Sequence, residues 1–177
     1  MKKQFIPTSQ NDYKVLVTCY TFNQAPFITI ALHSFVMQLT SFPFVCIIMD
    51  DCSTDGQRNV LDNYIVDQCN VVEKYDDETV HVVIASSLYN DKCTFAFYFL
   101  KENLFKQNER KWSYIRPWRE RCKYEAICEG DDYWLSPTKL ADQVRFLDMH
   151  EDFMLVGSNG ITIYTDPSLG IRYFNNC

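Results

Sequence analysis

Phe44-Val45-Cys46-Ile47-Ile48-Met49-Asp50-Asp51-Cys52-Ser53-Thr54-Asp55-Gly56 is the stretch that decides the fold. It opens as a short apolar run rich in β-branched residues and closes on an acidic turn. Such a run, bounded by turn residues, predicts a strand buried on both faces. The same grammar recurs in Tyr124-Glu125-Ala126-Ile127-Cys128 followed by Glu129-Gly130-Asp131-Asp132-Tyr133-Trp134. Both acidic clusters therefore fall at the carboxyl ends of strands, the edge where open α/β sheets bind ligands. Two carboxylates about 5 Å apart repel by roughly 3 kcal/mol at an effective dielectric near 20. Charge gathered in this way calls for a cation, a proton or hydrogen-bond donors.

Composition narrows the classes. At 177 residues, 47 % apolar and 15 % aromatic, the chain can bury a full core. A net charge of −6 argues against a nucleic-acid partner, which a basic face would serve. The eight cysteines include no CxxC pair and the three histidines are scattered, so zinc spacing is absent. Several cysteines lie within apolar runs and read as reduced, hydrophobic thiols. No run approaches the roughly 20 apolar residues of a membrane helix, and the N-terminus is too polar for a secretory signal. A reducing cytoplasm is the expected location, with association at the inner face of the membrane left open.

Outward from the two clusters, residues 1–13 read as a lead-in and 14–177 as a single domain. Lys14–Tyr20 predicts a first strand. Ala25-Pro26 opens a helix, with Phe27, Ile30, Ala31 and Phe35 expected to face the sheet. Ser53 or Asp55 caps a second helix running to about Gln68. Thr79–Ala85 and Thr94–Leu100 read as strands around a Tyr89-Asn90-Asp91 turn. Glu102–Ser113 is a polar loop at the ligand-facing edge. Trp112–Cys122 is helical in composition, with Pro117 breaking it or starting a second helix. Ser136-Pro137 starts a helix through about His150, with Leu140, Val144 and Leu147 as its apolar stripe. Met154–Gly157 and Ile161–Thr165 read as late strands. Alternating strands and helices predict a mostly parallel, Rossmann-related sheet flanked by helices.

Four blocks in this order resemble the family 2 glycosyltransferases of GT-A fold, across roughly residues 14–150. They are Val17-Thr18-Cys19-Tyr20-Thr21-Phe22-Asn23-Gln24, Ser34-Phe35-Val36-Met37-Gln38, Met49 through Gly56, and Tyr124 through Trp134 with Pro137, Lys139-Leu140, Gln143-Val144 and Phe146-Leu147. The resemblance implies a GT-A-like fold and a nucleotide-sugar donor, with a UDP-sugar as the family's prior. It implies that Tyr20, Thr21 and Phe22 lie against the nucleotide and that Asp51 bonds its base. The later cluster would be the DXD motif, contacting ribose and a magnesium or manganese ion. Its two acids are either Glu129 and Asp131 or Asp131 and Asp132. The second pair is preferred as essential, with Asp131 also touching nucleotide and Glu129 secondary. Oxygen ligands suit such a cation, which would offset charge on a departing diphosphate. The implied reaction is an inverting transfer to a hydroxyl of a saccharide or lipid-linked acceptor in bacterial cell-surface polysaccharide synthesis.

Two departures from the family stand out. Only residues 133–177 follow the motif, which implies a fold shortened at its C-terminus. Asp152, Asp166 and Glu151 match no family base, so the catalytic carboxylate is unassigned. A stretch with Lys106, Arg110, Lys111, Arg116, Arg119 and Arg121 also replaces the usual glycine-rich segment. A non-catalytic nucleotide-sugar-binding domain is the rival reading. A nucleotidyltransferase ranks last, because Thr21–Pro26 lacks a glycine-rich basic loop. Bland readings compete residue by residue. Asp50 and Asp51 could cap a helix, Tyr20 and Phe22 could be core, and the arginines suit a solvated helix face. His33 reads as structural, and Phe95, Phe97, Tyr98 and Phe99 as sheet core.

Overall fold

The computed structural model describes residues 12–108 and 111–174. The lead-in up to residue 11, Arg110 and Cys177 lie outside the described residues. The fold is mixed α/β. Among the described residues six strands form the main sheet: β1 (Val15–Thr21), β2 (Phe44–Asp50), β3 (Cys69–Asp76), β4 (Val80–Ser87), β5 (Cys93–Leu100) and β6 (Tyr124–Ile127). Their order is β3-β4-β5-β2-β1-β6. The four strands from β5 to β6 run parallel, in registers such as Val17↔Cys46, Cys46↔Phe95 and Val17↔Ala126. β3 and β4 extend the sheet in antiparallel fashion beyond β5. Helices α1 (Ile28–Val36), α2 (Gln57–Gln68) and α3 (Trp112–Arg119) accompany this sheet.

The central strands are apolar without interruption because both faces are covered. Leu16, Val45, Ile47, Met49, Ala96 and Tyr98 form one core with Ile115 and Trp118 of α3. Inside it, Trp118 Nε1–H donates to Tyr98 Oη at 2.7 Å. The alternate residues Val17, Cys19, Cys46, Ile48, Phe95 and Phe97 are equally closed to solvent. Tyr64 of α2 meets Phe95 edge-on there, and Phe95, Phe97 and Phe99 stack along β5, so the aromatic cluster is sheet core as expected.

The chain divides into two compact units, one running to Ala141 and one starting at Asp142. α4 (Lys139–Met149) begins in the first and continues in the second. The second unit holds an antiparallel pair, β7 (Gly160–Ile163) with β8 (Ile171–Phe174), joined through a 3₁₀ turn at Pro167–Leu169. Phe146, His150 and Phe153 cluster within it.

Three local expectations need correction, and one strand goes unread in the sequence. α1 starts at Ile28, so its buried face is Ile28, Ala31, Leu32 and Phe35, while Phe27 and Ile30 are exposed. The helical period expected from the sequence holds, but the phase of its buried face is displaced by one residue. β3 gives no clear sequence signal because it is a polar edge strand whose alternation breaks at a bulge between Val71 and Glu73. α3 passes through Pro117 and ends at Arg119. Proline removes one N–H donor there, but Ile115 and Trp118 on either side anchor the turn in the core. Met154–Gly157 forms no strand, and Met154 is 94 % exposed; the later strand is Gly160–Ile163.

Candidate functional site

The first loop leaves β1 at Tyr20 and Thr21 and is tied to the turn after β2 by one buried amide. Gln57 Oε1 accepts from Thr21 Oγ1 and from Gln24 N, both at 2.9 Å. Its Nε2 donates to Asp50 Oδ1 at 2.7 Å and to Ser53 Oγ at 3.1 Å. Asn23 reinforces the junction in the left-handed region, at φ 54°, which asparagine tolerates. It takes the Thr54 N–H on Oδ1 and donates its own N–H to Ser53 Oγ. Asp55 spans the same gap, accepting from Ala25 N and Gln57 N. Gly56, at φ 90°, is the N-cap of α2, so Asp55 acts beside the cap. The turn after β2 thus works largely as a clamp on the first loop.

The second acidic cluster docks on that clamped loop. Cys128 N–H reaches Thr18 O and Gly130 N–H reaches Tyr20 O, at 3.1 and 3.0 Å. Gly130 is required by space. A Cβ there would lie 2.5 Å from Gln24 Oε1, 2.5 Å from Thr21 Oγ1 and 2.7 Å from Thr21 Cβ. The Asp132 N–H closes a turn onto Glu129 O at 3.1 Å. Glu129, Asp131 and Asp132 are exposed. Partial burial, and then the Asp131 charge, push the Asp132 carboxyl above its ordinary value. Trp134 anchors the far side against Phe35, with ring centroids 5.0 Å apart and Lys139 Nζ over the indole. Buried Gln38 then fixes the exit. It donates to Ser136 O at 2.8 Å and accepts from Leu140 N at 3.1 Å.

The structure thus brings Tyr20, Phe22, Glu129, Asp131 and Asp132 to one edge. Thr21 and Asp51 lie beneath it. The Thr21 hydroxyl is committed to Gln57, and its carbonyl accepts from Asp51 N at 3.0 Å. The sequence alone leaves Asp51 free for a ligand, but in the fold its carboxylate is engaged. It accepts from Leu104 N at 2.8 Å and Phe105 N at 3.2 Å, and pairs with Lys111 Nζ at 2.9 Å. Lys111 Nζ also lies 5.3 Å from the Tyr20 ring centroid, and Lys106 Nζ 5.9 Å from that of Phe22. Burial, then the Glu125 charge, raise the Tyr20 phenol despite Arg119 nearby, so it stays neutral. Arg116 pairs with Glu120, while Arg119 pairs with Glu125 and covers Trp112, as suits the bland reading of these arginines.

Among the described residues no three His, Cys, Asp or Glu side chains are grouped so as to hold a metal ion. The cysteines from Cys19 to Cys128 are free thiols. Burial, then nearby Asp132, push Cys128 up to about 12, so it packs as a protonated thiol rather than a nucleophile. His33 is exposed on α1 against Tyr64. No helix among the described residues is long and apolar enough to cross a membrane. Sequence reasoning missed Gln57, which gave no local signal; Gly130 stood inside the quoted motif, and Lys111 inside the basic stretch, each without a stated role.

Comparison with known proteins agrees with this architecture. The family model described as Glycosyl transferase family 2 matches residues 16–75, which hold β1, α1, β2, the clamp and α2. Proteins of Mycobacterium tuberculosis and Mycobacterium bovis, described only as uncharacterized, are 29 % identical over 150 residues. The match covers 85 % of this chain and 36 % of theirs, so the chain spans about a third of their length. The crystal structure of S. aureus TarS in complex with UDP aligns at a TM-score of 0.50 and 21 % identity, covering 78 % of this chain and 33 % of that one. TarS in complex with UDP-GlcNAc aligns at 0.51 and 20 %, covering 78 % and 32 %. The family match over residues 16–75 makes that part of the chain similar to family 2 glycosyltransferases, and the sheet that carries it has a GT-A-like fold.

Proposed function

We propose that this chain supplies the nucleotide-sugar site of a glycosyltransferase, with residues 14–177 acting as one domain. It would transfer a sugar from a nucleoside diphosphate, with UDP favoured, to a hydroxyl of a saccharide or lipid-linked acceptor. The transfer would invert the anomeric carbon and serve cell-surface polysaccharide synthesis from the cytoplasmic side of the membrane. The observation that carries this reading is the Gly130 N–H to Tyr20 O bond, which sets three acids beside two accessible aromatic rings. The complexes of TarS with UDP and UDP-GlcNAc support the choice of nucleotide.

In this reading the nucleotide lies against Tyr20 and Phe22, above Thr21 and Asp51, with Asp131 toward the ribose. The donor set fits a divalent cation. Asp131 and Asp132 are adjacent hard oxygen ligands, and the Asp132 carboxyl, raised first by burial and then by the Asp131 charge, would be favoured in its ionised form by a cation. Asp132 and Asp131 would hold magnesium or manganese, with Glu129 secondary. Such an ion supplies charge neutralisation to a departing diphosphate. The clamp of Gln57, Asn23 and Asp55 keeps the aromatic loop in place without ligand, which limits the ordering cost of binding.

Calorimetry with UDP, GDP, CDP and dTDP, each with and without manganese, tests the proposal. One nucleotide should bind in a manganese-dependent way, and Asp132→Ala should abolish that dependence. Binding unchanged in Asp132→Ala would remove the metal assignment. Donor turnover, in place of simple retention, separates a transferase from a binding domain.

A further inference from the structure

The amino ends of the four parallel strands form a row at the edge opposite the acidic cluster. Lys123 N and Tyr124 N donate to Lys14 O, both at 3.1 Å. Lys14 N donates to Pro43 O, and Phe44 N to Lys92 O, both at 2.9 Å. These bonds align the starts of β6, β1, β2 and β5, and a lysine immediately precedes three of the four strands. With neighbouring strands about 4.8 Å apart, the row spans roughly 14 Å. Lys14 Nζ lies 5.6 Å from the Phe42 ring centroid and Lys123 Nζ 5.0 Å from that of Tyr124. Lys92 Nζ pairs with Asp91 at 3.0 Å, but that acid is 84 % exposed, and a surface pair of this kind is weak. Beside Lys92 a cleft of about 510 Å³ opens between the end of α1 and the β4–β5 turn, lined by Met37, Leu39, Thr40 and Tyr89. Asn90 Nδ2 ties its two walls together, donating to Val36 O at 2.8 Å and Gln38 O at 2.9 Å. Leu39 is 66 % exposed and Tyr89 70 %, with Leu88 exposed beside them.

We propose that this edge is a docking surface for a bilayer rich in anionic lipid. Lys14, Lys92 and Lys123 meet the headgroups, and Leu39 and Tyr89 enter the boundary beneath them. Charge complementarity selects this occupant. At a net charge of −6 the chain as a whole is repelled by an anionic surface, so attraction has to come from cations presented together on one side. A soluble polyanion would use the lysines and leave Leu39 and Tyr89 in water, whereas a bilayer satisfies both halves of the patch. Docked in this way, the sheet turns its acidic edge away from the membrane. The contact uses no residue of the donor site and does not depend on the nucleotide reading.

The test is co-sedimentation of the 177-residue chain, without nucleotide, with vesicles of phosphatidylcholine alone or mixed with phosphatidylglycerol. The wild-type chain should bind the mixed vesicles and leave phosphatidylcholine vesicles untouched. Binding should fall as salt rises from about 0.1 to 1 M, which shortens the screening length from about 10 to 3 Å. Each lysine near an anionic surface is worth about fivefold in affinity, so Lys92→Gln/Lys123→Gln should weaken binding about 25-fold. The control Lys74→Gln/Arg145→Gln removes the same charge from exposed positions on β3 and α4 and should stay within about twofold of wild type. Leu39→Ser/Tyr89→Ser should weaken binding severalfold with the salt dependence retained. No preference for phosphatidylglycerol, or equal losses in the lysine double and its control, overturns the proposal. Wild-type affinity in Leu39→Ser/Tyr89→Ser overturns the choice of a bilayer. Circular dichroism checks that each variant folds. The lipid preference and salt dependence are read on the wild-type chain, so they decide even where a variant does not fold. Nucleoside diphosphate binding that fails while vesicle binding persists removes the donor-site reading alone.

Discussion

Gly130→Ala is the sharpest probe of how the acidic cluster is held. The added methyl would begin 2.5 Å from Thr21 Oγ1 and 2.7 Å from Thr21 Cβ. Ordinary contact near 3.4 Å requires retreats of about 0.9 and 0.7 Å. Gln24 Oε1, also at 2.5 Å, can yield, since it is a side-chain end with no hydrogen-bond partner to lose. Thr21 cannot. Its side chain is buried, its hydroxyl is bonded to Gln57, and its backbone is paired in β1 opposite Asp50. The strain must therefore push the 128–132 turn off the end of β1 and stretch the Gly130–Tyr20 bond. Overpacking of this kind costs about 1–3 kcal/mol. Urea unfolding followed by tryptophan fluorescence reads that loss as a lower midpoint at unchanged slope. Adding Gln24→Ala should not restore stability, because the Thr21 Cβ contact persists. A Gly130→Ala chain within about 0.5 kcal/mol of wild type, the range of neutral surface changes, would refute the reasoning.

Two further outcomes concern stability. Asp77 closes the β3–β4 turn; burial raises its carboxyl, but hydrogen bonds from Thr79, Val80 and Tyr75 outweigh that and hold it below its ordinary value. Its contribution is therefore present above the unfolded value of about 3.9 and lost as pH falls through the lower folded value. Asp77→Asn should cost about 1 kcal/mol near neutrality, and the gap from wild type should close in acid; a gap independent of pH would contradict this. Tyr98→Phe strands the Trp118 indole N–H in a closed core and should cost about 1–3 kcal/mol. In a cycle with Trp118→Phe the two losses should be non-additive, and strict additivity would argue against the bond.

The sequence by itself determined the strands that carry the site. Phe44–Met49 and Tyr124–Cys128 could be read because central parallel strands must be apolar on both faces, and the acids that follow could only lie at their ends. The family resemblance followed from the same residues. What lacked a regular period was lost. Edge strand β3 is polar and bulged, and the Trp112 helix carries a proline whose effect depends on Ile115 and Trp118 finding a core. The tertiary structure alone decided what each acid does. Asp50 and Asp51 are adjacent in sequence, yet successive residues at a strand end point to opposite sides. Asp50 meets Gln57 and joins the clamp, whereas Asp51 meets Lys111 and holds a loop some sixty positions on. Those partners are distant along the chain, and only folding brings them together.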